Sequence, residues 1–155
     1  VVLSCLDSRV PVELVFDQRL GDIFVGRVAG NIEDEDQLGS MEFATKLSGA
    51  KLVFVLGHSS CGAVKGACDD AKLGNLTALL ARIRPAVDAT EGFKPDERTS
   101  ANKKFVEKVT EENVRQTMAN IRKDSPVLAE LETSGEIKIV GGIYDLQTGK
   151  VSLLK

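Results

Sequence analysis

The chain contains one histidine, three cysteines and no apolar run that approaches the roughly 20 residues of a membrane-spanning helix. The single histidine leaves no second imidazole to act as a base beside it. An odd number of cysteines in an ordinary background indicates a reducing compartment rather than a disulfide framework. The net charge of −3 argues against a general affinity for nucleic acid or for an anionic membrane.

The remaining composition is typical of one globular domain. Hydrophobic residues make up 43% and charged residues 28% of 155 residues, a length at which two full domains would be cramped. The sequence begins at Val1, without methionine and already within a strand-like run, so we expect a further segment before it in the full-length protein. The cysteines favour the cytoplasm, and an organelle is the alternative.

Strand-like and helix-like runs alternate along the chain. The predicted strands are short and β-branched: Val1–Cys5, Ile23–Gly30, Lys51–Gly57 and a run from Ile137 that continues into a hairpin at "QTGK". The predicted helices carry apolar residues at helical spacing: Leu38–Ser48, Leu76–Val87 with a bend or break at Pro85, Val106–Ile121, and Pro126–Thr133. We therefore predict a single α/β domain over residues 1–155. Its central sheet has about four parallel strands plus an edge strand or hairpin, flanked by helices.

Two short motifs lie where predicted strands end. "CLDSR" places Cys5, Asp7 and Arg9 after the first strand, and "HSSC" places His58 and Cys61 after the strand that begins at Lys51. In open parallel sheets, ligands bind beyond the carboxyl ends of the strands. Neighbouring parallel strands would therefore bring both motifs to one edge of the sheet.

Three interpretations of the stretch "LGHSSCGAVKGA", Leu56–Ala67, fail on residue type. A phosphate-binding loop needs lysine and a hydroxyl residue after its second glycine, where the chain has Ala63 and Val64. A nucleophile elbow needs a glycine two residues after its serine, where the chain has Cys61. A redox dithiol needs C-x-x-C, and the chain has H-x-x-C.

Metal binding is the interpretation of this stretch that remains. Zn²⁺ favours thiolate and imidazole ligands, and a catalytic zinc keeps three protein ligands and one open position. Cys5, His58 and Cys61 supply two thiolates and one imidazole, the ligand set of the catalytic zinc in alcohol dehydrogenase. A lone histidine near a cysteine is usually structural, so the prediction depends on both motifs occurring together, with Asp7 and Arg9 beside the first cysteine.

At these motifs the sequence resembles the β-class carbonic anhydrases. "CLDSRVPVELVFDQRLGDIFVGRVAGN", followed by "VFVLGHSSCGAVKGA", matches the family's C-x-D-x-R signature and then its H-x-x-C signature. The resemblance runs from Val1 to about Ala71, and the later "IVGGIYDLQTGKV" is also similar to the family's ending.

The resemblance implies a zinc lyase that interconverts carbon dioxide and bicarbonate by attack of zinc-bound hydroxide. It implies that Cys5, His58 and Cys61 bind Zn²⁺, and that Asp7 and Arg9 form a carboxylate–guanidinium dyad that assists the reaction. It also implies a homodimer or a higher even homo-oligomer. The amino-terminal helical arm that the family packs on its partner subunit is absent from this sequence.

Two further residues are predicted to bind substrate. Gly62 would let a helix begin near the zinc with its N–H groups toward bicarbonate, and tight packing is the alternative. Gln18 is assigned by similarity to a family glutamine, although Arg19 is the residue at the family's spacing from Gly21.

Two other features are predicted to be structural. Cys68 is expected to be a small buried hydrophobe rather than an extra ligand or a redox switch. The acidic run Glu33–Asp36 is expected to be a solvated face near a helix start.

Two other functions are compatible with the motifs. A hydrolase of carbonyl sulfide or carbon disulfide would use the same zinc site. A non-catalytic zinc scaffold would instead have the closed four-ligand cage of structural zinc, whereas this sequence offers three donors beside an acidic dyad.

Overall fold

The structure, a computed structural model, describes residues 1–154 and contains one five-stranded sheet. Its strands are β1 (Val2–Ser4), β2 (Val25–Arg27), β3 (Leu52–His58), β4 (Lys138–Asp145) and β5 (Lys150–Leu153). They lie in the order β2-β1-β3-β4-β5, with the first four parallel and β5 antiparallel to β4. The predicted α/β class, with four parallel strands and an edge hairpin, is confirmed.

The helices pack around this sheet. They are α1 (Val12–Val15), α2 (Glu35–Glu42), α3 (Gly62–Cys68), α4 (Gly74–Ala89), α5 (Lys103–Asp124) and α6 (Pro126–Thr133). Helix α6 has the bounds that the sequence predicts, with Pro126 at its first turn and the Ser125 hydroxyl accepting a hydrogen bond from the Leu128 N–H. Among the described residues, no helix combines the length and the apolar character needed to cross a membrane.

Strand β3 is the centre of the core and is covered on both faces. Val53 and Val55 pack on one face against α5 and α6, whereas Phe54 and Leu56 pack on the other face against the start of α1. Burial of alternate side chains on opposite faces explains why this strand is a continuous apolar run.

Helix α5 lies unusually close to the end of the sheet. A Cβ on Gly57 would come within 2.7 Å of Val114 Cγ2, and one on Gly141 would come within 2.6 Å of Val114 Cγ1. The two glycines therefore permit the close approach of α5 to β3 and β4. This packing fixes the position of α5 relative to the strand end that carries His58.

The second strand is shorter than predicted. It ends at Arg27, because Ala29–Asn31 forms a turn of 3₁₀-helix in which Gly30 has a φ of +74°. A left-handed conformation interrupts the strand ladder and favours glycine. The predicted strand through Gly30 was wrong at this end.

The helix predicted at Leu38–Ser48 is present and starts earlier. Helix α2 begins at Glu35 and continues as a turn of π-helix over Phe43–Leu47. It ends before Gly49, whose φ is +78°.

Pro85 does not interrupt its helix. Helix α4 continues one turn beyond the proline to Ala89, and the side chains of Ala86 and Val87 in that turn are buried. Burial of these apolar side chains offsets the backbone hydrogen bond that proline cannot donate.

Glu33 corrects the expectation that the acidic run is a solvated face. Its side chain is buried, Oε1 accepts a hydrogen bond from Asn120 Nδ2 at 2.9 Å, and burial raises the pKa of the carboxyl group. Asp34 caps α2, and only Glu35 and Asp36 are exposed in its first turn. The arrival of α5 over this segment, a tertiary contact, buries the first carboxylate.

Candidate metal centre

Cys5, His58 and Cys61 lie together at the carboxyl ends of β1 and β3, with His58 as the last residue of β3. All three side chains are buried, and their ligand atoms lie within 4.8 Å of one another. Within residues 1–154, no other group of three or more histidine, cysteine or acidic side chains is arranged to hold a metal ion. The structure therefore brings together the three residues that the sequence predicts to bind zinc.

The imidazole of His58 has one nitrogen that is satisfied and one that is not. Nδ1 lies 3.0 Å from the backbone carbonyl of Ser59, and a carbonyl can only accept, so the proton is on Nδ1. Nε2 is buried, carries a lone pair and has no hydrogen-bond partner. A buried polar atom without a partner is costly, and a metal ion would satisfy this one.

The two sulfurs also fit a metal. Cys5 Sγ and Cys61 Sγ are 4.0 Å apart, whereas a disulfide would need about 2.05 Å. Two thiolates bound at about 2.3 Å to a tetrahedral zinc would lie about 3.8 Å apart. The hydrogen bond between the two groups lowers the pKa of Cys5, and that bond and burial raise the pKa of Cys61. The metal-free pair therefore retains a proton that a metal ion would displace.

Asp7 and Arg9 form a bidentate ion pair beside the three donors. Arg9 Nε lies 2.9 Å from Asp7 Oδ1, and Nη2 lies 2.7 Å from Oδ2. These hydrogen bonds hold the pKa of Asp7 well below the usual carboxyl range. Asp7 Oδ2 is 3.8 Å from His58 Nε2, so an ionised carboxylate borders the place where the imidazole lone pair is available.

Arg27 holds the segment that contains Cys5 and Asp7. Its Nε donates to the carbonyl of Cys5 at 3.1 Å and its Nη2 to the carbonyl of Asp7 at 2.5 Å. The N–H of Gly30 donates to Cys5 Sγ at 3.4 Å. Sequence reasoning missed both residues, although they lie within "RVAGN", a stretch that carries the family resemblance.

Ser59 joins the loop after β3 to the hairpin, a second contact that the sequence did not predict. Its N–H donates to the carbonyl of Tyr144 at 2.9 Å, and its hydroxyl accepts from the N–H of Leu146 at 2.9 Å. Since its own carbonyl accepts from His58, Ser59 relates the orientation of the imidazole to the position of the hairpin.

Gly62 is the first residue of α3, directly after Cys61, and nothing lies within 4 Å of the position that a Cβ would occupy. Tight packing therefore does not explain this glycine, and its role toward substrate stays a prediction.

Gln18 lies in an exposed turn, where Nε2 donates to the carbonyl of Phe16 at 2.8 Å. The structure shows no hydrogen bond between Gln18 and the three donors, and its role also stays a prediction. Cys68 is buried as predicted, and burial raises the pKa of its thiol to about 11.

Replacing Arg9 with glutamine should raise the pKa of Asp7 toward its ordinary value of about 3.9. The depressed pKa contributes stability that is present above the ordinary value and is lost as pH falls through the folded-state pKa. The stability difference between wild type and Arg9→Gln should therefore be larger at neutral pH than in acid. An NMR titration of the Asp7 carboxyl carbon in metal-free protein measures the pKa, with exposed Asp70, paired with Lys72, as the internal control. An unchanged Asp7 pKa would contradict the role of Arg9.

Comparison with known proteins identifies relatives over almost the whole chain. The sequence profile of the family described as carbonic anhydrase matches residues 1–151. A carbonic anhydrase from Mycolicibacterium smegmatis is 37% identical over 158 residues, covering 99% of this chain and 73% of that protein. Carbonic anhydrase 2 from Mycobacterium tuberculosis is 36% identical over 160 residues, covering 99% of this chain and 72% of that protein.

Solved β-carbonic anhydrases have the same fold. A structure from Sordaria macrospora, one of two β-carbonic anhydrases described as tetrameric, matches with a TM-score of 0.84 at 24% identity, covering 99% of this chain and 78% of that chain. At that identity the match shows the fold alone. The β-carbonic anhydrase CcaA matches with a TM-score of 0.82 at 27% identity, covering 99% of this chain and 78% of that chain. With a family profile that matches nearly every residue, this chain belongs to the β-carbonic anhydrase family, whose enzymes are zinc-dependent carbonate dehydratases.

Proposed function

We propose that this chain catalyses the reversible hydration of carbon dioxide to bicarbonate and a proton, using the Asp7–Arg9 dyad. The observation that carries the proposal is the buried group of Cys5, His58 and Cys61, three donors with an ionised carboxylate beside them. Three protein ligands leave one position of a tetrahedral metal open, as catalytic zinc requires. Membership of the family supports the same reaction.

The sulfurs of Cys5 and Cys61 and the Nε2 atom of His58 would hold the zinc ion. When bound, zinc lowers the pKa of water from about 15.7 toward about 7 and so supplies a nucleophile at neutral pH. Asp7 stays ionised because Arg9 donates two side-chain hydrogen bonds to it, so its carboxylate can only accept. By accepting the hydrogen of the attacking water or hydroxide, Asp7 would turn the oxygen lone pair toward carbon dioxide.

The proposed activity is tested by stopped-flow hydration of carbon dioxide on protein whose zinc content has been determined in the same sample. Hydration should fall to the uncatalysed rate when a chelator removes the zinc and return when zinc is restored. About one zinc per chain without hydration would contradict the proposal. Carbonyl sulfide and carbon disulfide should then be assayed on that sample, since the same donors could serve their hydrolysis.

Asp7→Asn should lower kcat/KM by roughly tenfold or more while zinc remains bound. The amide can donate as well as accept, so it no longer selects one orientation of the nucleophile. Asp70→Asn is the matched control, because Asp70 is an exposed carboxylate paired with Lys72 and has a φ of +52° that asparagine also adopts. Full activity of zinc-loaded Asp7→Asn would remove the dyad from the mechanism.

We further propose that the chain assembles as a homodimer or a higher even oligomer through the face beside β2. β2 is an edge strand of the sheet, and the exposed rings of Phe24 and Phe43 meet edge to face beside it at 6.4 Å. Exposed aromatic side chains beside an edge strand are typical of an interface, and the solved structure described as tetrameric supports an even oligomer.

Phe43→Lys should shift the molecular mass in solution from the oligomer toward the monomer, because it places a charge in the proposed interface. Sedimentation velocity at several protein concentrations would measure the shift. Leu153→Lys is the control, since Leu153 is an exposed side chain on β5 at the opposite edge of the sheet. Dissociation by Leu153→Lys but not by Phe43→Lys would contradict the assignment of this face.

A further inference from the structure

We propose that Asn113 is a positioning residue for the metal centre. From helix α5 it holds Gly30, whose backbone N–H donates to the sulfur of Cys5. The inference rests on the proposed function only in assuming that Cys5 binds a metal. It assigns a role to a buried side chain that does not contact the three donors itself.

Two hydrogen bonds make the connection. Asn113 Nδ2 donates to the carbonyl oxygen of Gly30 at 2.8 Å, between residues 83 positions apart in the chain. The N–H of Gly30 donates to Cys5 Sγ at 3.4 Å. Both groups belong to one residue, so only the φ and ψ of Gly30 separate the atom that Asn113 holds from the atom that meets the sulfur.

Gly30 needs an external anchor because of its own conformation. Its φ of +74° is a left-handed value, and a Cβ at this position would lie 2.5 Å from Ile83 Cδ1 and 3.3 Å from Ala63 Cβ. A side chain there would be strained, which favours glycine, and glycine has more conformational freedom than any other residue. A hydrogen bond from a rigid helix restricts that freedom.

Helix α5 can provide a rigid reference. Val114, the next residue after Asn113, packs against Gly57 and Gly141 at distances that leave no room for a side chain on either glycine. Asn113 is itself 2% exposed, so its amide has no bulk water to bind in place of the Gly30 carbonyl. Through Asn113 and α5, the position of the Gly30 N–H is therefore fixed relative to β3, the strand that carries His58.

An N–H that donates to a metal-bound thiolate draws electron density from the sulfur and fixes its direction. This matters in a site with two thiolates, because their combined charge opposes the acidifying effect of the ion. Partners outside the ligand shell typically change metal affinity or activity 10- to 100-fold when they are removed. A merely structural asparagine would change the stability of the fold and leave the metal unaffected.

Asn120 provides a matched control on the same helix. It lies two turns beyond Asn113, and its Nδ2 donates to Glu33 Oε1 at 2.9 Å, three residues after Gly30. Truncation to alanine at either position therefore removes one amide hydrogen bond between α5 and the same stretch of chain. Only the bond from Asn113 leads to Cys5.

The experiment compares Asn113→Ala, Asn113→Leu and Asn120→Ala with wild type after replacement of zinc by Co²⁺. We expect both Asn113 variants to lower metal affinity about 10- to 100-fold in chelator competition and to shift the thiolate-to-cobalt charge-transfer band. Asn120→Ala should keep the wild-type band and an affinity within about twofold. Unfolding measured on the same samples separates loss of stability from loss of metal binding.

Wild-type affinity and spectrum in both Asn113 variants would overturn the proposal, and so would equal losses in Asn120→Ala. Failure of the wild-type protein itself to bind Co²⁺ or Zn²⁺ would instead defeat the proposed function. If neither Asn113 variant folds, wild-type protein loaded with cadmium tests the second hydrogen bond of the connection, from the Gly30 N–H to Cys5 Sγ. A hydrogen-bond scalar coupling between the Gly30 amide proton and the cadmium nucleus is expected, and its absence would overturn the proposal.

Discussion

The parallel pairing of β1 with β3 is the constraint on which the metal centre depends. Ser4 lies opposite Leu56 in the register, so Cys5 leaves the sheet beside the residues that lead into His58. The two donors are far apart in sequence, and no local contact could bring them together. Because a shift of one residue would turn every side chain to the opposite face, burial of β3 on both faces protects this register.

The electrostatics of the site follow from where charge is placed relative to solvent. The imidazole and the two sulfurs are buried, and Nδ1 of the imidazole lies 3.0 Å from the Ser59 carbonyl oxygen. The permanent charges, on Asp7 and Arg9, lie where solvent can still reach the guanidinium. Without metal the two sulfurs share one proton, and binding of a divalent cation would displace that proton.

Much of the site is held in place by residues that are not themselves among the three donors. Arg27 binds the carbonyls around Asp7, Ser59 connects the zinc-side loop to the hairpin, and Asn113 reaches Gly30 from α5. These contacts explain how the short loops after β1 and β3 can keep their donor atoms within 4.8 Å of one another. The contact from Asn113 to Gly30 is possible because α5 approaches the sheet closely at Gly57.

The sequence by itself determined the chemistry and the class of fold. Alternating apolar runs predicted the parallel sheet, and strand-end placement selected Cys5, His58 and Cys61, because residue type and order along the chain are local information. The sequence could not show that β2 ends before Gly30 or that Glu33 is buried, since both depend on residues that arrive from elsewhere. The contacts of Arg27 and Asn113 likewise join positions 20 to 83 residues apart. Tertiary structure alone decided which backbone groups face the donor atoms, because only the packed arrangement of sheet and α5 sets those distances.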